Sequence, residues 1–317
     1  MILFVIIVAF FSIISKGTYF TLSNLRNVLN AMVLFMLLAI AEGCLIIFGE
    51  IDLSPGYIGT TCGVFIALLT TTFGLPWYIA LVLALALGAA AGLFNAVLIN
   101  QLGFQSFIAT LATGQFIAKG MSYVICKGKT IPIKDDTLEF LGSGKIGDYI
   151  PAAIIIALVL ITLYGIMLTK TKFGRSIYLC GGNRNAARLA GLNPKKLSYI
   201  LFANSGALGA LAGIIYAARM KGGNLVGTNL YAFQAITAAI LGGISFGGGS
   251  GGMFGCFLGL LVINSFSNGL VVMQVSSYWQ QCASGILLLI ALSFDYFSAR
   301  RAMKVKTPKK AAAKVNS

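Results

Sequence analysis

The chain has 317 residues, 58% of them hydrophobic and 10% charged, with a formal net charge of +15 at pH 7. Apolar content at that level, with no long polar region to offset it, excludes an ordinary soluble domain and marks an integral membrane protein. Histidine is absent, which removes the commonest acid–base side chain and the commonest metal ligand and leaves enzyme readings without most of their parts.

Taken in chain order, the apolar stretches predict an all-α membrane fold. Helices are expected near 1–15, 28–48, 55–73, 76–100, 104–126, 149–169, 197–218, 230–247, 252–273 and 279–297. That makes about ten spans, most of them close to the ~20 residues a bilayer requires. The first stretch lacks a basic lead, and Lys16-Gly17-Thr18 is a poor cleavage site. It is expected to be a span whose usual cytoplasmic lead is absent or not included, rather than a signal peptide.

The second and third stretches hold Glu42, Glu50 and Asp52, the only acids before residue 135. Ionisable groups near the membrane are costly and mark functional hypotheses by default. Glu42 is expected to line a polar cavity or to sit protonated against a neighbouring helix. Asp52 stands before Leu53-Ser54-Pro55, where it either caps the third span or serves a functional role. Glycine punctuation interrupts the apolar pattern at Gly49 to Gly56 and again at Gly242 to Gly252. Non-helical backbone at membrane depth is tolerated only inside protein or beside water, so both segments are candidate hinges or pathway mouths. They share the order glycine, any residue, isoleucine, polar, which suits an old internal duplication.

Small residues four apart, at Gly88 and Gly92, at Ser205, Gly209 and Gly213, and at Gly251, Gly255 and Gly259, predict close helix contacts. The polar residues within spans are mostly neutral: Asn95, Gln105, Thr110, Gln115, Asn204, Gln234, Thr237, Asn264 and Asn268. Amides and hydroxyls suit a path for an uncharged polar solute, and they equally serve as hydrogen bonds between helices. Glu42, Asn95, Thr110, Asn204, Gln234 and Asn264 are the candidate path residues.

The segment from Lys127 to Asp148 balances four bases against four acids, as an external loop does. Gly142-Ser143-Gly144-Lys145 fails as a phosphate loop, because Glu139 falls where the first glycine belongs and Ile146 where Ser or Thr belongs. Any ATP must be bound by another subunit, and no cofactor is expected in this chain. Between Lys170 and Lys196 lie seven bases and no acid, and seven more bases occupy the tail from Arg300 to Lys314. The positive-inside rule places both in the cytoplasm. Within the loop, Asn183 or Asn185 can cap a short helix through Arg188 and Leu189, Gly191 can end it, and Pro194 can start the next. Its small face of Ala186, Ala187 and Ala190 suits insertion into a partner's groove; an ordinary anion-facing loop is the plainer reading. The basicity fits anionic lipid and a cytoplasmic partner, not nucleic acid. The six cysteines form no C-x-x-C pair and are expected to be packing residues.

Several of these stretches resemble one family, the membrane permease subunits of ribose-type, or carbohydrate uptake class 2, bacterial ABC importers. Gly49-Glu50-Ile51-Asp52-Leu53-Ser54-Pro55-Gly56 is similar to its Gly-Gly-Ile-Asp-Leu-Ser-Val-Gly signature. Phe107-Ile108-Ala109-Thr110-Leu111-Ala112-Thr113-Gly114 is similar to its F-I-x-T-L-x-T segment. Gly174-Arg175 through Gly181-Gly182-Asn183 to Ala186-Ala187-Arg188-Leu189-Ala190-Gly191 resembles its cytoplasmic loop, and Leu241 to Gly249 matches a further glycine segment. The resemblance covers roughly residues 28–297. It implies a type II importer-like permease domain over 1–297 and a basic tail over 298–317, in a bacterial cytoplasmic membrane. The implied partners are two ABC ATPase subunits, a second permease chain, identical or different, and a substrate-binding protein outside. The loop residues Gly174, Arg175, Gly181, Gly182, Asn183, Ala186, Ala187, Arg188, Leu189 and Gly191 would couple to the ATPase. Gly49, Ile51, Asp52, Leu53, Ser54, Gly56, Gly242, Gly243, Gly247, Gly248 and Gly249 would form the signature and hinge. The chain departs from the pattern at Glu50, where glycine is usual, at Pro55, where valine is usual, and at Asn185, where the E-A-A-x-x-x-G coupling pattern has glutamate. A secondary transporter or facilitator for a neutral solute is the competing class.

Overall fold

The computed structural model describes residues 2–293 apart from positions 148, 149, 230, 277, 281, 284, 288 and 291. Its long helices are α1 (Ile2–Ile14), α2 (Leu22–Phe48), α3 (Pro55–Ala67) and α4 (Trp77–Asn100). Next come α5 (Ser106–Ala112) and α6 (Lys119–Cys126), joined by a π-turn over Thr113–Ala118, then a short α7 (Asp136–Ser143) and α8 (Ala152–Lys170). The basic segment folds as α9 (Lys172–Gly182) and α10 (Arg184–Leu189), followed by α11 (Pro194–Arg219), α12 (Tyr231–Leu241) and α13 (Met253–Val272). Each span expected before residue 274 is met by a helix or a composite of helical pieces. The tenth, expected over 279–297, is described at 279–280, 282–283, 285–287, 289–290 and 292–293, all helical, and the tail over 298–317 lies outside the described residues.

Five helices, α2, α4, α8, α11 and α13, are each long and apolar enough to cross a membrane. The second reaches further back than expected, because Thr21 accepts a hydrogen bond from the Asn24 amide and caps the helix six residues earlier. The twelfth is shorter than expected, stopping at Leu241 where Gly243 turns left-handed at φ +88°. In the middle of the molecule, α2 is buried on nearly every side from Met32 to Phe48, as an all-round apolar helix must be. Around it, α11 packs on α3 and α4 through small residues. A Cβ on Gly206 would lie 2.0 Å from the Gly88 carbonyl oxygen, and one on Gly213 would lie 1.7 Å from that of Gly59. The expected stripes on α4 and α11 therefore hold these helices together through van der Waals contact, the main attraction left once both are in lipid. Gly255 and Gly259 do the same for α13 against Gly242 and Ala238 of α12.

The segment between α6 and α8 caps one end of the bundle. There β1 (Ile131–Pro132) pairs with β4 (Gly222–Gly223), β2 (Lys145–Ile146) pairs with β3 (Ile150–Pro151), and Gly142 of α7 rests on the backbone of Ala218 and Arg219. The basic helices α9 and α10 cap the other end, beside Phe48 at the end of α2. The balanced loop and the basic loop thus occupy opposite ends. All five cysteines before residue 282 are buried and free, in keeping with packing roles, while Cys282 is exposed.

Candidate functional site

Between α2 and α3 the chain is unwound over residues 49–54. Gly49 starts the break in the left-handed region at φ +86°, and Pro55 restarts helix as the first residue of α3. An extended stretch inside a bundle must find partners for its backbone donors, and here side chains supply them in succession. The Ile51 amide donates to Ser106 Oγ at 3.4 Å, the Asp52 amide to Glu42 Oε2 at 3.4 Å, and the Leu53 amide to Thr110 Oγ1 at 3.0 Å. Asp52 Oδ1 accepts from both the Ser54 amide at 2.9 Å and the Ser54 hydroxyl at 2.5 Å, and Oδ2 accepts from the Ser205 hydroxyl at 2.8 Å. Asn95 donates to Ser54 Oγ at 2.7 Å and accepts from the Thr113 hydroxyl at 2.6 Å. The first two resemblance motifs are therefore one object: Ser106 and Thr110 hold the backbone of the 49–56 signature open.

Two expectations change at this point. Asp52 does not cap α3, since the cap position is Ser54, whose side chain makes no capping hydrogen bond; the Asp52 carboxylate braces the turn ahead of it and ties it to α11. Glu42 is fully buried against that segment, Oε2 bonded to the Asp52 amide and Oε1 without a partner, so it faces backbone rather than a cavity. Behind the cluster a cavity of about 150 Å³ is bounded by Ser54, Ile58, Thr61, Asn95, Thr113 and Met121.

The other glycine segment and the basic helices meet the first one at the end of α2. A Cβ on Gly181 would lie 1.8 Å from the Ile47 carbonyl oxygen and 2.8 Å from the Gly249 amide, and the Gly249 amide donates to that same Ile47 carbonyl at 2.8 Å. Gly248 and Gly249 take left-handed φ values of +79° and +73° to make the approach. Tyr178 of α9 donates to the Gly251 carbonyl at 2.8 Å. Glu50 Oε1 pairs with Arg184 at 2.5 Å, and the guanidinium also stands 5.0 Å from the centre of the Phe48 ring. Burial pushes the Glu50 carboxyl above the usual carboxylate range, with Arg184 pulling against that rise. Glu50, a departure from the signature this chain resembles, is thus matched by the first residue of α10.

In the basic segment, Asn183 accepts from the Asn185 and Ala186 amides and caps α10. Gly191 follows its end at φ +81°, and Asn193 caps α11 ahead of Pro194. The small-residue face is corrected: Ala187 is buried against the chain itself, while Leu189 is 91% exposed with Ala186, Arg188 and Ala190 exposed around it in sequence, and Arg175 is exposed on α9. Gly174 is packed on the end of α8, and Gly182 is open. In the hinge set, Gly242 is pressed against α13, and Gly56 sits against the Thr228 carbonyl. Gly243 and Gly247 have space around them.

The candidate path residues do not form one set. Glu42, Asn95 and Thr110 converge on residues 52–54, as described. Asn204 accepts from the Tyr164 hydroxyl beside Leu163 and Ile200, Asn264 bonds its own helix at Leu260, and Gln234 lies apart on α12. Sequence reasoning missed the roles of Ser106, Tyr178, Arg184 and Ser205, which rest on contacts between residues far apart in the chain.

This architecture is a membrane bundle with a basic helical cap gripping two unwound glycine segments, and it defines a transport protein. The chain belongs to the family described as branched-chain amino acid transport system / permease component, which matches residues 24–292. It is a permease component, a transport subunit rather than an enzyme, and the ribose-type resemblance of its motifs is borne out. It is 34% identical to a probable ABC transporter permease protein of Escherichia coli, across 93% of this chain and 88% of that one. It is 32% identical to the ribose import permease protein of the same organism, across 92% and 90%, and 29% identical to the xylose transport system permease protein of Haemophilus influenzae, across 92% and 93%. No solved structure matches the chain.

Proposed function

We propose that this chain is the membrane-spanning permease of an ATP-binding cassette importer for a sugar or sugar-like polar solute. The solute is handed over by a binding protein outside and released into the cytoplasm. ATP is bound and hydrolysed by separate ATPase subunits docked on α9 and α10, and a second permease chain completes the pathway. The basic loop and the basic tail face the cytoplasm, and the loop over 127–148 faces outward, in accord with the charge distribution. The observation that carries this reading is the seating of Gly181 on Ile47 and Gly249. A displacement of α9 acts directly on the backbone of both glycine segments. Nucleotide drives transport only if it favours one permease conformation over another, and a rigid joint between α9 and the unwound segments supplies that differential contact.

Shortening the chain between Gly181 and Gly191 tests it. The variant is expected to remain folded and in the membrane while ATP hydrolysis no longer drives uptake. Transport at the parental rate, or failure of the parental chain to bring an ATPase through purification from membranes, would defeat the reading.

A further inference from the structure

The composite span α5–π-turn–α6 touches the rest of the chain along a narrow stripe, with Ala109, Thr110, Gly114, Ala118, Ser122 and Cys126 buried. Most of its remaining circumference is uncovered, and that surface is not uniformly apolar. Gln115, Lys119 and Tyr123 are exposed at intervals of four residues and form a polar strip along the helix. Lys119 has no carboxylate within ion-pair distance: the ion pairs among the described residues are Arg184–Glu50 and Lys221–Glu139. Gly120 beside it has open space where a side chain would stand. The strip begins inside the π-turn, a device that recurs at functional positions in helices.

A lysine and an amide on a surface bathed in hydrocarbon cost about 3 kcal/mol for the charge alone. Snorkelling answers for a lysine near a span end, and Lys119 lies roughly 10 Å along the helix from Cys126 at 1.5 Å per residue. It does not answer for Gln115, a turn deeper and too short to reach the interface. The surface must therefore meet water. We propose that Gln115, Lys119 and Tyr123 line an aqueous solute path on the uncovered side of this span. The solute is hydroxyl-rich: the Gln115 amide and the Lys119 ammonium donate to its oxygens, the Tyr123 ring covers its apolar face, and the ammonium repels cations. This deepens the transport reading above and rests on it for the solute, but not for the water.

The test uses the full chain in membranes with its partner subunits and with Cys282→Ser removing the exposed native thiol. Gln115→Cys, Lys119→Cys and Tyr123→Cys are expected to react with small membrane-impermeant thiol reagents. Val159→Cys, on the exposed apolar face of α8, is expected to stay inert. Relative to a free thiol, Gln115→Cys should favour an anionic over a cationic reagent by about threefold, the size expected from a unit charge one helical turn away in water at physiological salt, where screening roughly halves the interaction. Lys119→Met should abolish that preference. Gln115→Cys as inert as Val159→Cys would overturn the proposal, including the case where Lys119→Cys alone reacts, which is snorkelling. A preference that survives Lys119→Met would overturn the assigned role of the ammonium. Labelling does not depend on ATP, so loss of the importer reading and loss of this one are told apart.

Discussion

Glu50 is one of two residues, with Pro55, at which this chain departs from the signature it resembles, and the structure gives this departure a partner. The carboxylate is 5% exposed while the Arg184 side chain is 43% exposed, so the two ends of the pair are not equivalent. Taking away the guanidinium strands a buried charge, whereas neutralising the carboxylate leaves an arginine free to reach solvent. Arg184→Met is therefore expected to lower the unfolding temperature in detergent more than Glu50→Gln, even though half-exposure of Arg184 holds the pair itself to about 1 kcal/mol. Equal losses would show that the pair is not buried as described. Gly181 and Gly182 form a sharper contrast, because a methyl group on the first collides with the Ile47 carbonyl while the second has nothing within 4 Å. Gly181→Ala should uncouple ATP hydrolysis from uptake, and Gly182→Ala should behave as the parent in the same assay. Glu50 was legible in the sequence as an oddity; Arg184, 134 positions away, was legible only as one base among seven.

At the scale of elements, what the sequence displays well is periodicity and punctuation, and what it hides is which side of a short helix turns inward. Asn183, Gly191 and Pro194 bracket α10 as expected, because capping chemistry is local. The inward face was misjudged because Ala187 turns toward the chain itself while the identical side chain of Ala186, one position earlier, stays exposed. Leu189 is left projecting, and on the proposed docking it would serve as the apolar anchor of the element. Leu189→Ala is expected to leave the unfolding temperature unchanged and to weaken ATPase association by about 2 kcal/mol, near thirtyfold, the worth of a leucine side chain losing its buried site. Binding of ATPase subunits titrated into purified permease would measure it. An unchanged affinity would move the contact to the neighbouring bases. The unwound 49–54 segment was likewise legible from its glycine and proline. Its supports were not, since Ser106, Thr110 and Ser205 each lie more than fifty positions away in the chain.

Across the whole molecule, the span count followed from hydropathy, while the composite span α5–α6 did not show its π-turn, which leaves no mark in an apolar run. The two ends of the bundle also differ in how their charges are held. At the end with α7, Lys221 donates to Glu139 at 2.7 Å, and that carboxylate raises the lysine's affinity for its proton. A lysine held above its unfolded value adds stability that is fully present below that value and is lost as pH rises through the folded one. Proteolysis between 127 and 148 should therefore accelerate only in alkaline buffer beyond about pH 10. Lys221→Gln should flatten that rise. At the other end the bases of α9 and α10 have no such partner among the described residues apart from that of Arg184, which suits a surface completed by another protein or by anionic lipid.

That asymmetry predicts orientation. A charge-balanced cap crosses a membrane during insertion more readily than a loop carrying seven bases and no acid, and the two lie at opposite ends of one bundle. A cysteine at exposed Arg188 should react with an impermeant reagent only in inside-out vesicles, and one at exposed Lys129 only in intact cells or right-side-out vesicles. The reverse pattern would put the α9–α10 helices outside, where no ATPase could reach them. It would leave the packing of Gly181 against both glycine segments intact as structure and without a motor to move it.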